Sequence, residues 1–337
     1  MRTLTRLLRA HGAWAAVLPT VLAALLAALL AARVAQAEEP YPKDRPVTIV
    51  VPFAAGSSTD TIARILAAEL QSSMGGTFLV DNRPGRVGII GTTSVAKAKA
   101  DGYTLMLSSG AQNSVAHWLF TNVTYDSVKD FEHIANVVEA GFVLVVNNDL
   151  PVRSVPELIA YAKKSPGKLS YGYGTASAQL SAALLNSLAG IQTVGVPYKG
   201  QPLAMNDLIG GQLQFMVADV ALVKPLIATQ RVRALAVTTS TRLPAWPDLP
   251  TVAEFGMQSY SYSTWVGLAG PKGVPEAVVG QLAQELRKAL GQPAVVEKLR
   301  TLGLEPLYRT TEQQQAFVRD ELEKQRKVVQ AAGIKPE

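Results

Sequence analysis

The chain has 337 residues, 48% of them hydrophobic, and no cysteine, so structural disulfides and attachment of a lipid through cysteine are both excluded. Its formal net charge of +6 misleads, because four of the 32 basic residues and none of the 26 acidic ones fall within positions 1–37. What remains is close to neutral and carries no basic run interleaved with aromatics, which excludes nucleic acid as an expected partner.

Positions 1–37 read as a secretory signal. Arg2, Arg6 and Arg9 form a basic start, residues 14–32 are nearly all Ala, Leu and Val, and Ala35-Gln36-Ala37 supplies the small-x-small pattern before a cleavage site. An uncleaved anchor is the rival reading, since the apolar run approaches the length of a span. Pro19 and the cleavage pattern favour removal after Ala37, giving a soluble exported chain of 300 residues that starts at Glu38. That length suits two lobes better than one small core.

The next segment is the most informative. Val47 to Val51 is a β-branched apolar run that stops at Pro52, and Phe53-Ala54-Ala55-Gly56-Ser57-Ser58-Thr59-Asp60 leads into an amphipathic helix with Ile62, Ile65, Leu66 and Leu70 on one face. Unpaired amides at such a helix start attract anions. Ser57, Ser58 and Thr59 add hydroxyl donors without charge. Simple capping also accounts for the pattern, with Ser58 or Thr59 as N-cap and Asp60 paired to Arg64 one turn on. Against capping alone, the chain repeats the device.

Further along, strands and helices alternate. Residues 78–80 read as a strand, and Gly85, Gly88 and Gly91 lead into a helix near 92–99. A strand over 103–107 ends at Ser108-Ser109-Gly110-Ala111-Gln112-Asn113. Residues 142–146 form another strand and 155–164 a helix. A strand over 169–171 opens through Gly172-Tyr173-Gly174-Thr175-Ala176-Ser177 into a helix reaching 188. Strands over 193–196, 215–218 and 233–238 follow, the second ending at Asp219, and long helices cover 276–290 and 311–332. The alternation predicts an α/β fold with mainly parallel sheets. Loops at the carboxyl ends of parallel strands face one crevice, and these are rich in Gly, Ser, Thr, Asn and Gln. They suit a polar ligand held by neutral donors.

Catalytic constellations are scarce. Beyond the signal only His117 and His133 remain, and each reads as a satisfied or surface histidine rather than a metal ligand. No nucleophile elbow or Walker loop occurs. The Gly172-Tyr173-Gly174 turn imitates a dinucleotide fingerprint, but Ser177 stands in place of the third glycine and no acidic residue closes the next strand. Asp60 and Asp219 are acid–base candidates, yet helix-start and strand-end carboxylates are ordinary. Binding without chemistry, cofactor or metal is expected.

A resemblance now becomes specific. Val51-Pro52-Phe53-Ala54-Ala55-Gly56-Ser57-Ser58-Thr59-Asp60, Asn82-Arg83-Pro84-Gly85, Asp101-Gly102-Tyr103-Thr104-Leu105 and Val196-Pro197-Tyr198-Lys199-Gly200 resemble the Bug-type receptors of tripartite tricarboxylate transporters. So do Arg233-Ala234-Leu235-Ala236-Val237-Thr238, Pro250-Thr251-Val252-Ala253-Glu254 and Ala332-Gly333-Ile334, in the family's order across the mature chain. The resemblance implies a monomeric periplasmic solute-binding protein, type II-like, with two α/β lobes. A small organic carboxylate would lie in the cleft between them, for delivery to membrane permease subunits. The lobes are expected from 38–140 plus 255–337 and from 141–254, with crossings near 139–141 and 260–265. Carried over by position, the ligand-binding set is Phe53, Gly56, Ser57, Ser58, Thr59, Asp60, Ser108, Asn113, Thr175, Ser177 and Asp219.

Several positions depart from the family pattern. Ser57 replaces a second glycine, Gln179 stands where many relatives have His, and the loop after Tyr171 is shorter. Arg86, Val87 and Ile89 occupy a glycine turn. Valine does not easily take positive φ, so that turn is expected to be rebuilt. Arg86 reads as a solvated surface residue in preference to a clamp for a second carboxylate. A ligand sensor for a membrane signalling protein and an exported α/β hydrolase using Asp60 or Asp219 are the alternative functions.

Overall fold

Among the described residues, the strand that follows Arg45 is the first of ten, all hydrogen-bonded into one mixed sheet. The computed structural model describes residues 41–244, 246–331 and 333–336, and the signal segment and its cleavage site lie outside these. Residues 45–337 form one unit, and residues 1–44 another, of which only 41–44 are described.

β1 (Val47–Val51) pairs in parallel with β2 (Phe78–Asn82) and β3 (Thr104–Ser109). Parallel neighbours require crossovers. These are α1 (Ser58–Met74) and α2 (Ile89–Ala96), the latter preceded by a short 3-10 turn over Arg86–Gly88. A π-helical turn over Ala111–Val115 and α3 (Ala116–Leu119) lead to β4 (Phe131–Val146). The other end of the sheet is again parallel: β5 (Ser170–Tyr173) lies between β6 (Val194–Pro197) and β7 (Phe215–Asp219). Its connections are α5 (Ala176–Ala189) and α6 (Gln201–Ile209), while α4 (Val155–Lys164) links β4 to β5.

The middle is antiparallel. Over Phe131 to Gly141, β4 pairs with β9 (Ser263–Pro271); over Phe142 to Val146 it pairs with β7 and with β8 (Arg233–Val237). Burial along β4 is interrupted inside this change, at Glu139 and Ala140. β10 (Glu305–Arg309) joins β4 on the first side. Among the described residues four strand pairs are parallel and five antiparallel, so the expectation of mainly parallel sheets holds at the two ends and not at the centre. α7 (Val220–Ala228) follows β7, and α8 (Glu276–Gly291), α9 (Pro293–Thr301) and α10 (Thr311–Ala331) close the chain.

Burial follows the sheet. Ile49, Phe131, Phe142 and Phe215 are fully enclosed, as is Tyr260 in the segment leading to β9. Val318 and Val329 bury the inner face of α10, whose backbone accepts the Trp118 indole N–H at Leu322 O, 2.9 Å. The expected rebuilding of the glycine turn does not occur. Arg86 (φ 45°) and Val87 (φ 51°) both take the left-handed conformation between Gly85 and Gly88, with Val87 only 6% exposed. A β-branched side chain there is strained by about 1–3 kcal/mol, which core packing of the valine offsets.

The closest approach in the sheet is at Gly267, where a Cβ would meet Ala135 O at 2.3 Å. Gly267→Ala should therefore lower unfolding free energy by about 1–3 kcal/mol in urea titration. Gly280→Ala, in open space on α8, should be neutral or stabilising by up to about 1 kcal/mol.

Candidate ligand-binding site

The loop after β1 is set by one carboxylate. Asp60 accepts hydrogen bonds from the Gly56 amide (2.9 Å) and Asn82 Nδ2 (3.0 Å), and pairs with Arg64 Nη2 at 2.9 Å. Burial acts to raise its pKa, but the bonds from Arg64, Gly56 and Asn82 outweigh that and hold it below the ordinary carboxylate range. Ser57, rather than Ser58 or Thr59, caps α1: its Oγ accepts from Asp60 N at 3.2 Å. The reason is that Ser57 keeps extended backbone while Ser58 is already helical. Ser58 and Thr59 are thereby free to present first-turn amides and hydroxyls forward.

Forward of them is a small, partly open cavity of about 30 Å³. Phe53, Ser58, Thr59, Thr175, Ser177 and Asp219 all line it. The other expected ligand residues do not. Gly56, Ser57 and Asp60 build the loop behind it, and Ser108 accepts from Asn113 Nδ2 (2.9 Å), the two pinning the π-helical turn. The neighbouring Ser109 lines the cavity instead, because successive strand residues point to opposite faces.

Three helix starts meet here. Thr175 caps α5, its Oγ1 accepting from Ala178 N at 3.2 Å, which leaves Ser177 in the first turn. α7 begins at Val220, and Asp219, its N-cap residue, makes no capping bond. The Asp219 amide instead donates to Gln201 Oε1 (2.9 Å), and Gln201 Nε2 donates back to Asp219 Oδ1 (3.2 Å). Gln201 is 1% exposed and was not legible from the sequence beyond the preceding Lys199-Gly200. Its place depends on Gly174, whose Cβ would lie 2.3 Å from Gln201 N.

Polar groups at the cavity are incompletely used. The hydroxyls of Ser58 and Ser177 are buried and make no hydrogen bond of ordinary geometry. Asp219 lines the cavity and is half-buried. Burial pushes its pKa up to about 6, with the nearby Ser58 hydroxyl and the Gln201 amide opposing the shift. Apolar walls come from Phe53, Ile62, Phe142, Val220, Val266 and Leu304. Of these only Phe53 was expected. Phe142 and Val266 come from the antiparallel centre that the sequence reading lacked, Leu304 from the residue before β10, and Ile62 and Val220 from α1 and the start of α7.

The two histidines are engaged elsewhere. His117 Nε2 bonds Ser127 Oγ and His133 Nε2 bonds Ser127 O, each at 2.8 Å. Burial lowers the His117 pKa and brings that of His133 to about 4. A wider depression of about 760 Å³ beside Arg233 and Trp246 contains none of the expected ligand residues.

Comparison with known proteins places the chain in a family. Residues 62–334 match the tripartite tricarboxylate transporter family receptor, TctC. Protein BugT of Bordetella pertussis is 36% identical over 296 residues, covering 86% of this chain and 90% of BugT. The structure of Rpa4515 of R. palustris with adipate is 35% identical, with a TM-score of 0.86 over 88% of this chain and 100% of that one. MatC of Rhodopseudomonas palustris with bound malate is 31% identical, with a TM-score of 0.82 over 85% of this chain and 99% of that one. Four-fifths of its length thus matched to one receptor type, the chain belongs to the TctC family of tripartite tricarboxylate transporter receptors, the family of the Bug proteins.

Proposed function

We propose that the protein is a periplasmic receptor that captures a small organic carboxylate and delivers it to the membrane components of a tripartite tricarboxylate-type transporter. One observation carries this reading: the starts of α1, α5 and α7 converge on a single cavity where the buried Ser58 and Ser177 hydroxyls make no hydrogen bond of ordinary geometry. Each helix start contributes about 0.3–1 kcal/mol toward an anion, more when partly buried. Several of them with hydrogen bonds of about 1 kcal/mol each are enough for micromolar affinity. The carboxylates named with two similar structures, adipate and malate, agree with that chemistry. No histidine lines the cavity to serve a nucleophile, which favours binding over hydrolysis.

The cavity is too small for such a ligand, so uptake requires its walls to part. We place the division between lobes at 38–140 plus 255–337 and 141–254. The exchange of β4 partners at Gly141 and the return of the chain through Ser263 support it. Small-angle scattering of the exported protein should show a smaller radius of gyration with ligand than without.

The ligand itself is to be read by native mass spectrometry of protein purified from the periplasm. Recovery of a carboxylate, and loss of its uptake on deletion of the gene, would support transport. Unimpaired uptake would point to sensing. With that carboxylate in calorimetry, Ser58→Ala and Ser177→Ala should each weaken binding by about 0.5–1.5 kcal/mol. Unchanged affinity in both would overturn this assignment of donors.

Asp219 gives a pH dependence. Its ordinary pKa of 3.8 rises to about 6 in the folded chain. The stability it contributes is therefore complete below pH 3.8 and is lost as pH rises through about 6. Affinity for an anion should move in the same direction, falling as Asp219 ionises, and Asp219→Asn should flatten the profile between pH 5 and 7.5.

A further inference from the structure

A second cavity, of about 440 Å³, opens beside the first and is lined by Arg86 and Lys199 together with Phe120, Tyr173 and Tyr198. It draws on three separate parts of the chain: the strained turn after β2, the segment after α3, and the ends of β5 and β6. Among the described residues neither Arg86 nor Lys199 makes an ion pair or a side-chain hydrogen bond, and both are exposed. Three aromatic rings share the lining with Thr121, Asn122 and Pro197, and the Tyr198 hydroxyl is already committed to Asp207 Oδ2 at 2.6 Å.

Position makes this more than a pair of surface cations. Tyr173 lines the outer cavity and Thr175 the inner one, and two residues of backbone span at most about 7 Å. On the other side, Val87 lines the outer cavity. A Cβ on the adjacent Gly88 would meet the ring of Phe53, an inner wall residue, at 3.0 Å. The turn after β6 closes the gap, since a Cβ on Gly200 would lie 2.8 Å from Ala54 Cβ. Lys199 is thus held against the first ligand loop by its neighbour. Arg86 is fixed likewise: it and Val87 share left-handed backbone, and the valine side chain is buried. Strain of this kind persists where surrounding structure enforces it, and it recurs at ligand clamps.

We propose that Arg86 and Lys199 form an outer anion subsite that takes the distal carboxylate of a dianionic ligand whose first carboxylate occupies the Ser58–Ser177 cavity. The aromatic walls would hold an aliphatic or aromatic spacer between them. This rests on the receptor reading above and adds what sets its selectivity. The inner site uses buried dipoles, which salt screens little; the outer uses exposed cations, which salt screens strongly. Selectivity for two charges over one should therefore be salt-dependent, while binding of one charge should not.

The test is calorimetry on the exported protein with matched probes: adipate against hexanoate, and terephthalate against benzoate, at low and at physiological ionic strength. In the parent protein the dicarboxylate of at least one pair should bind about tenfold more tightly or better, the scale of a charge-assisted hydrogen bond, and less so as salt rises. In Arg86→Gln combined with Lys199→Gln the preference should fall to about twofold or less, with monocarboxylate affinity unchanged. Arg86→Gly provides a control against misfolding. Glycine takes this backbone conformation without strain, so that variant should melt no lower than the parent yet lose the preference. Equal binding of both members of each pair, or a preference that survives the double substitution, overturns the outer subsite and leaves the receptor reading standing. Failure of every probe to bind overturns both.

Discussion

Strand β4 hydrogen-bonds to four other strands, and the walls of the cavity follow from where it exchanges one set for the other. A strand this long carries two demands. Each half must present apolar residues to its own neighbours, and the change between them must leave no buried amide unpaired. The chain meets the second demand at Phe142, whose amide donates to Thr238 Oγ1 at 2.8 Å, while that hydroxyl donates to Tyr262 O at 2.7 Å. One threonine thus ties β4, the end of β8 and the approach to β9 together at the site's edge. Ala140 and Phe142 on β4, and Thr264 and Val266 on β9, then face the helix starts of both sheet ends.

The donors that result are neutral where the site is deepest. Two of the charges nearest the cavity, on Asp60 and Arg64, cancel one another behind the loop, and Asp219 holds its proton to higher pH than an ordinary carboxyl. A buried full charge would need a partner in every state, liganded or empty. Amide dipoles and hydroxyls cost less to leave waiting, and they impose geometry without demanding a counter-ion. Asp219 is better understood through its clasp with Gln201, which holds the end of β7 to the start of α6 and so fixes the cavity's far wall.

Much of the parallel framework was legible in the sequence because it is written in strong local signals. A β-branched run ending at Pro52, an apolar run ending at Asp219, and glycines and small polar residues opening helices are such local patterns. α4 emerged with the expected bounds, Val155–Lys164. What escaped was written in weak signals. β9 reads Ser-Thr-Trp-Val-Gly-Leu-Ala-Gly-Pro, and its Gly267 answers to close contact with β4 and its Gly270 to Val274 and Leu105, rather than to turns. The first half of β4 mixes Glu132, His133, Asn136 and Glu139 into a strand, and α7 carries Pro225. Of the expected ligand residues, those that reach the cavity sit in first helical turns, beside a cap or at a strand end. Those that do not, Gly56, Ser57, Asp60, Ser108 and Asn113, are consumed by bonds that hold the loops. Telling the two sets apart requires the cap position and the strand phase, each of which turns on a single residue.

The contact between Ala54 and Gly200 has a consequence for how such receptors diversify. With 2.8 Å between the alanine methyl and the place where a Cβ would stand, neither loop has room for a larger residue unless the other yields. Gly174 is under the same restriction from the backbone of Gly200 and Gln201. The first ligand loop and the turn after β6 are therefore one interlocking part, although nearly 150 positions separate them. A chimaera that exchanges either loop alone with a relative inherits a steric mismatch at the mouth of the site, whereas exchanging the two together transfers a fitted pair.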